Sequence, residues 1–325
     1  MPTTLPVPLL STPNTLIQAV QSVLEHTDRA SLSLSEVMGY TSHAFRINVR
    51  PKSIETDSPY TIHGAEAVQR AFRLLGFRTQ GICPPVKTVT PGMLKEIIDT
   101  IRMSVDRGFP VVAWNVFAVG FGVIHGYDET RQVLFAKDYS FDGPIPYDQL
   151  PNRRILSLTV LDQPVLVAPE ERLRETVAAI LDHAYSRDGL AWEQARDGLR
   201  GYDAWIDAFN GDKISNKGNA YNLRILADAR RHAVAFLETL SKQWENGTAF
   251  GTTVSRLTAQ AAAPYGRVSA CLRELTSMYP YPPSHKGANP RQKANAPRSM
   301  ELLGLAKEAE ERGLAALGEL YAIIR

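Results

Sequence analysis

His125 and Asp138 are the two side chains whose placing in this sequence suggests chemistry. Residues 109–114 form a short apolar run between Gly108 and Asn115, the signature of a buried strand. A second stretch, 116–127, ends in Ile124-His125-Gly126-Tyr127. After it, Asp128-Glu129-Thr130-Arg131 has the composition of a hairpin turn, and 132–137 leads back to Asp138. One strand thus delivers a histidine and the returning strand an aspartate, and facing residues of an antiparallel hairpin touch. An aspartate beside one imidazole nitrogen fixes the tautomer and stabilises the imidazolium, which is the base–orienter half of a catalytic triad. The same spacing also fits a half-buried histidine next to a strand-end carboxylate, with no chemistry attached.

Other familiar chemistries are absent from the sequence. It has no phosphate loop ending in Gly-Lys-Ser/Thr, no His-Glu-x-x-His pair and no Gly-x-Ser-x-Gly elbow. Gly120, Gly122 and Gly126 trace part of a dinucleotide fingerprint, but a hairpin turn follows where a helix is needed to hold a pyrophosphate. Two cysteines, Cys83 and Cys271, make neither a disulfide framework nor a zinc site, and no cofactor or metal is expected. Lys plus Arg number 36 against 34 Asp plus Glu, so the net charge of +2 points away from a nucleic-acid partner. No stretch reaches the roughly 18 apolar residues of a membrane span, and residues 1–10 lack the basic start of a signal peptide. The expectation is a cytoplasmic protein without a membrane partner.

The elements that must position the pair divide into two textures. Helices are predicted over 14–27, behind Pro13, from Ser33 or Ser35 onward, over 64–75 and over 90–107. The strands above and one more at 155–161 follow. Helices first and neighbouring strands afterwards predict an α+β fold, not an alternating one. Past Pro169 the pattern is helical: 170–185, 191–209, 220–243, and 252–279 with a break or kink at Pro264. Residues 280–298 hold five prolines with Lys286, Arg291, Lys293 and Arg298 and no acid, and read as a basic loop: a solvated linker or an arm for an acidic partner. Ser299 is expected to cap a last helix. The organisation expected is an antiparallel-sheet domain over 1–166 and a helical bundle over 167–325.

The order Gly-x-Pro-Val-Val (108–112), His-Gly-Tyr-Asp (125–128) and Phe-Ala-Lys-Asp (135–138) resembles papain-like domains of the bacteriocin-processing peptidase type, and among them the butirosin-biosynthesis H-like proteins. The likeness extends forward to the helix at 14–26, Leu34-Ser-Glu-Val-Met-Gly39 and His43-Ala-Phe-Arg46. It continues beyond the sheet to Gly198-Leu-Arg-Gly-Tyr-Asp-Ala-Trp205 and the run 229–237. The resemblance implies acyl chemistry, with His125 as base and Asp138 as orienter. It also implies a cysteine at the start of the first helix, where a helix N-terminus favours the thiolate. Asn14-Thr15 stands there instead, and no cysteine occurs before Cys83.

A threonine hydroxyl is a far weaker nucleophile than a thiolate near neutral pH. Cys83 and Cys271 read as packing residues. His43 and Arg46 either line a cleft and hold an anion or are surface neighbours of a buried Phe45 and Ile47. Three functions follow. The favoured one is a non-peptidase protein that binds a peptide, acyl chain or small metabolite in a cleft at His125, with Asn14, His43 and Arg46 touching the ligand. The alternative is a hydrolase or acyltransferase using Thr15, His125 and Asp138. The third is a helical oligomerisation protein with a vestigial cleft, and a homo-oligomer through the helical part is compatible with each.

Overall fold

The computed structural model describes residues 2–8, 12–83, 89–152, 157–285 and 287–324. In chain order the elements are β1 (Thr3–Thr4), α1 (Thr15–Leu24), α2 (Leu34–Tyr40), β2 (Asn48–Val49), α3 (Gly64–Leu74), β3 (Phe77–Ile82) and α4 (Pro91–Asp106). Then come β4 (Val111–Trp114), β5 (Phe121–Asp128), β6 (Val133–Lys137), β7 (Asp142–Pro146), β8 (Leu158–Pro164) and α5 (Pro169–Ala184). The chain closes with β9 (Arg196–Asp197), α6 (Leu199–Asn210), α7 (Asn216–Gln243), α8 (Ala249–Met278) and α9 (Ala296–Ile323). The fold is α+β with an antiparallel sheet.

Two compact units share the chain. One comprises Met1–Ser33 and Gly64–Val167, the other Leu34–His63 and Ala168–Arg325. The sequence places a division near 166, and the chain does change units there. It does not foresee that Leu34–His63 belongs with the helical unit. The reason is tertiary: Phe45 packs edge-on against Phe236 and Tyr265, and the fully buried Arg230 donates to the carbonyls of Ala44 and Arg46.

In the first unit the strands run β3-β8-β4-β5-β6-β7, and β1 adds to β5. One face carries Val111, Ala113, Ile124, Leu134 and Ala136, which join Ile97, Ile98 and Ile101 of α4 in a single apolar core. Strand alternation turns Phe121 and Val123 to the other face, where α1 lies. Nine of the ten residues of α1 are buried, so this helix is the spine of the unit. The strand expected at 116–127 begins only at Phe121, because residues 115–120 form a loop with left-handed backbone at Asn115 (φ 57°). The strand expected from 155 is β8, and residues 155 and 156 lie outside the described residues. β7 is absent from the sequence reading because Gly143, Pro144 and Pro146 are poor strand formers; an edge position tolerates them.

In the helical unit α8 packs between α7 and α9, while α6 and α5 lie on α9 and α2 lies on α7. Three helices differ from expectation. The helix at 191–209 begins only at Leu199, and α8 runs unbroken through Pro264. The last helix starts at Ala296, not behind Ser299, because Pro297 sits in its first turn where a missing N–H costs nothing. Arg291 and Arg298 of the basic loop are engaged within this unit, with the Ile214 carbonyl and with Glu274 and Glu301. Lys286 lies outside the described residues. No described helix is long and apolar enough to cross a membrane.

Candidate functional site

The start of α1 is built by local hydrogen bonds. Asn14 caps it, its side chain accepting from the Ile17 amide at 3.2 Å, and Thr12 Oγ1 in turn accepts from the Asn14 amide. Asn14 is therefore a capping residue, its side chain committed to the helix. Thr15, next in line and 4% exposed, accepts from the Phe121 amide at 3.1 Å. Facing it is Gly120, at φ 147°, where an added Cβ would lie 3.0 Å from Thr15 Oγ1. The position opposite the expected nucleophile thus carries no side chain at all.

His125 is not there. It lies four residues along β5 from Phe121, about 13 Å further on at strand rise. Nor does it meet Asp138. The hairpin register pairs Lys137 with Val123, which brings Asp138 against Gly122, and a bulge falls at His125. The expected pairing of His125 with Asp138 therefore fails, because the turn after Asp128 and the bulge at His125 set a different register. His125 Nε2 lies 3.3 Å from Asp142 on β7, and Nδ1 lies 3.2 Å from the Leu5 carbonyl. Both ring nitrogens thus face oxygen atoms of the 2–8 segment and of β7, and neither faces Thr15 or Asp138. Asp142 was invisible to sequence reasoning because its strand was.

Asp138 does different work. One carboxylate oxygen accepts from the amides of Phe117 (3.0 Å) and Ala118 (2.8 Å); the other accepts from the Ser140 amide, the Ser140 hydroxyl and the Phe141 amide. Burial raises its pKa, but the hydrogen bonds from Ser140, Ala118 and Phe117 outweigh that and hold it below the ordinary carboxylate value. The carboxylate clamps the 115–120 loop to the 138–141 turn. Those two loops expose Val119, Tyr139 and Phe141, and Phe117 stacks edge-on against Phe141 at 5.0 Å. Below them Pro8, Gln18, Ser22, Gly122 and Lys137 border a crevice of ~20 Å³, room for about one water.

His43 and Arg46 belong to the other unit, where each has partners within that unit. His43 is buried, with Nδ1 3.1 Å from the Thr41 carbonyl. Arg46 is 8% exposed and donates to Asp188 at 2.6 Å, an internal partner in place of the anionic ligand considered for it. Asp188 also accepts from His183 Nδ1, while His183 Nε2 takes the Ile47 amide at 3.0 Å. Burial first, then the charge of Arg46, push the His183 imidazole down to about 4, so it is neutral with its proton on Nδ1. His183, Asp188 and Asp197 are close enough for a metal. Each carboxylate already faces an arginine, Arg46 or Arg200, so the cluster is charge-balanced without a cation.

Neither cysteine stands near an imidazole in any described contact. Cys83 is exposed at the end of β3, and Cys271 lies buried in α8 where burial pushes its thiol up, away from the thiolate. No protein-family model and no curated protein matches this chain.

Proposed function

We propose that this chain is a papain-like protein without a working nucleophile, a binder of a peptide, acyl chain or small metabolite. The reading draws on a buried helix whose N-terminus abuts the central strand of an antiparallel sheet, with an aspartate in the turn that follows the next strand. The observation that carries it is the pair Thr15–Gly120: a hydroxyl committed to the Phe121 amide stands where a thiolate belongs, and a glycine faces it. An acyl-transfer step needs a nucleophile and a base within hydrogen-bond reach, and Thr15 and His125 point to different partners. The geometry therefore favours binding over turnover by Thr15.

The test is direct. Incubation at high protein concentration with p-nitrophenyl acyl esters and with peptide amides is expected to release no product above background. A thermal-shift screen of fatty acids and short peptides is expected to yield a stabilising ligand, with the shift unchanged in Cys83→Ser and Cys271→Ser. Turnover that disappears in Thr15→Ala or Cys83→Ser would overturn the reading.

A further inference from the structure

Residues 2–8 lie across the sheet unit as an extended strap. Their exposure alternates: Thr3, Leu5 and Val7 are half-buried, while Pro2, Thr4, Pro6 and Pro8 are exposed. The strap fills a vacancy in strand pairing. β4 covers β5 only from Phe121 to Ile124, and the rest of that edge takes Thr3 opposite Tyr127 and Thr4 opposite Gly126. The Leu5 amide donates to the His125 carbonyl at 2.8 Å. Beyond this point three consecutive carbonyls are each held by a different side chain. Leu5 O faces His125 Nδ1 at 3.2 Å, Pro6 O faces His26 Nε2 at 2.8 Å, and Val7 O accepts from Lys137 Nζ at 3.0 Å.

We propose that this edge of β5 is a binding site for an extended peptide, and that residues 3–8 occupy it in cis as a displaceable stand-in. The proposal rests on the binding reading above and deepens it by naming the ligand class. Almost every polar contact to the strap goes to its backbone, which any peptide supplies, as in strand addition to a sheet edge. Side-chain selection falls to one place: Leu5 packs against the α4 core, so the incoming strand needs an apolar residue there. Gly126 makes the close approach possible, because a Cβ at that position would lie 2.5 Å from the Thr3 carbonyl oxygen. The regular pairing of the strap is two residues long, so its release breaks little of the sheet.

Two measurements decide the matter. In the intact chain, hydrogen exchange at the Leu5 amide is expected to be at least about a hundredfold faster than at Ile124, the mark of local opening without unfolding. Equal protection at the two amides would make the strap an integral strand and overturn the proposal. In a variant lacking residues 2–8, the labelled peptide Pro-Thr-Thr-Leu-Pro-Val-Pro is expected to bind saturably, at least about tenfold tighter than to the intact chain, as competition with a tethered occupant requires. The same peptide with Asp in place of Leu, and the further substitution Gly126→Val, are each expected to abolish binding. A folded deletion variant that ignores the peptide overturns the proposal, and if it still responds to a fatty acid in the thermal-shift screen the binding reading survives. Should the deletion variant fail to fold, the strap is integral and the proposal falls equally.

Discussion

Asp138→Ala separates a clamp from a catalytic orienter. Removing the carboxylate deprives four amides and one hydroxyl of their acceptor. Ser140 and Phe141 are exposed, and water replaces the lost bonds there; Phe117 and Ala118 are half-buried, and their amides are the costly ones. At about 1–3 kcal/mol for each of these two amides left without a partner, the sheet unit is expected to lose about 2–6 kcal/mol of stability. The control is Asp142→Ala. Asp142's side chain is 52% exposed, and its contacts with His125 and with the Lys137 ammonium are screened by water, so its loss is expected to cost less than about 1 kcal/mol. The assay is the urea dependence of hydrogen exchange in β5 and β6, which reports this unit apart from the helical one. A loss below about 1 kcal/mol for Asp138→Ala, or a larger loss for Asp142→Ala, refutes the assignment of Asp138 as the clamp.

Three further outcomes follow from the geometry. Thr15→Cys is expected to give a thiol without an imidazole partner, because the His125 ring nitrogens face Leu5 and Asp142; its iodoacetamide reactivity should keep rising through pH 7, and a reactive plateau below about pH 7 would contradict this. His183 binds its proton only near pH 4 in the folded chain but near its ordinary value of 6.5 when unfolded, so the unfolded state takes up more protons between these values. The stability of the helical unit is therefore full above 6.5 and lost as pH falls toward about 4; urea midpoints that stay level over that window would refute the assignment. Glu310→Gln leaves the buried Arg230 without its charge partner and disturbs the Tyr202 hydroxyl bond, so about 3–5 kcal/mol should be lost in denaturant unfolding, and a loss under about 1 kcal/mol would show the pair to be dispensable.

The sequence by itself determined what depends on neighbours within a turn or two. The apolar stripe at Leu16, Ile17, Val20, Val23 and Leu24 fixes α1 and its buried face, and Asn14 marks its start. The turn after Asp128 joins β5 to β6, and the texture change near 166 falls where the chain passes from one unit to the other. Tertiary structure decided the pairings. Spacing put His125 beside Asp138, but the register gave Asp138 to Gly122 and the loop amides, and gave His125 to an aspartate on a strand that prolines had hidden. Residues 34–63 joined the distant helices because Phe45 and the carbonyls of Ala44 and Arg46 find their partners there, some 190 residues away in the case of Phe45 and Phe236. Helical periodicity is set by bonds four residues apart and can be read from a short window; which strand edge or aromatic ring a residue meets depends on contacts whose partners are chosen only when the chain closes on itself.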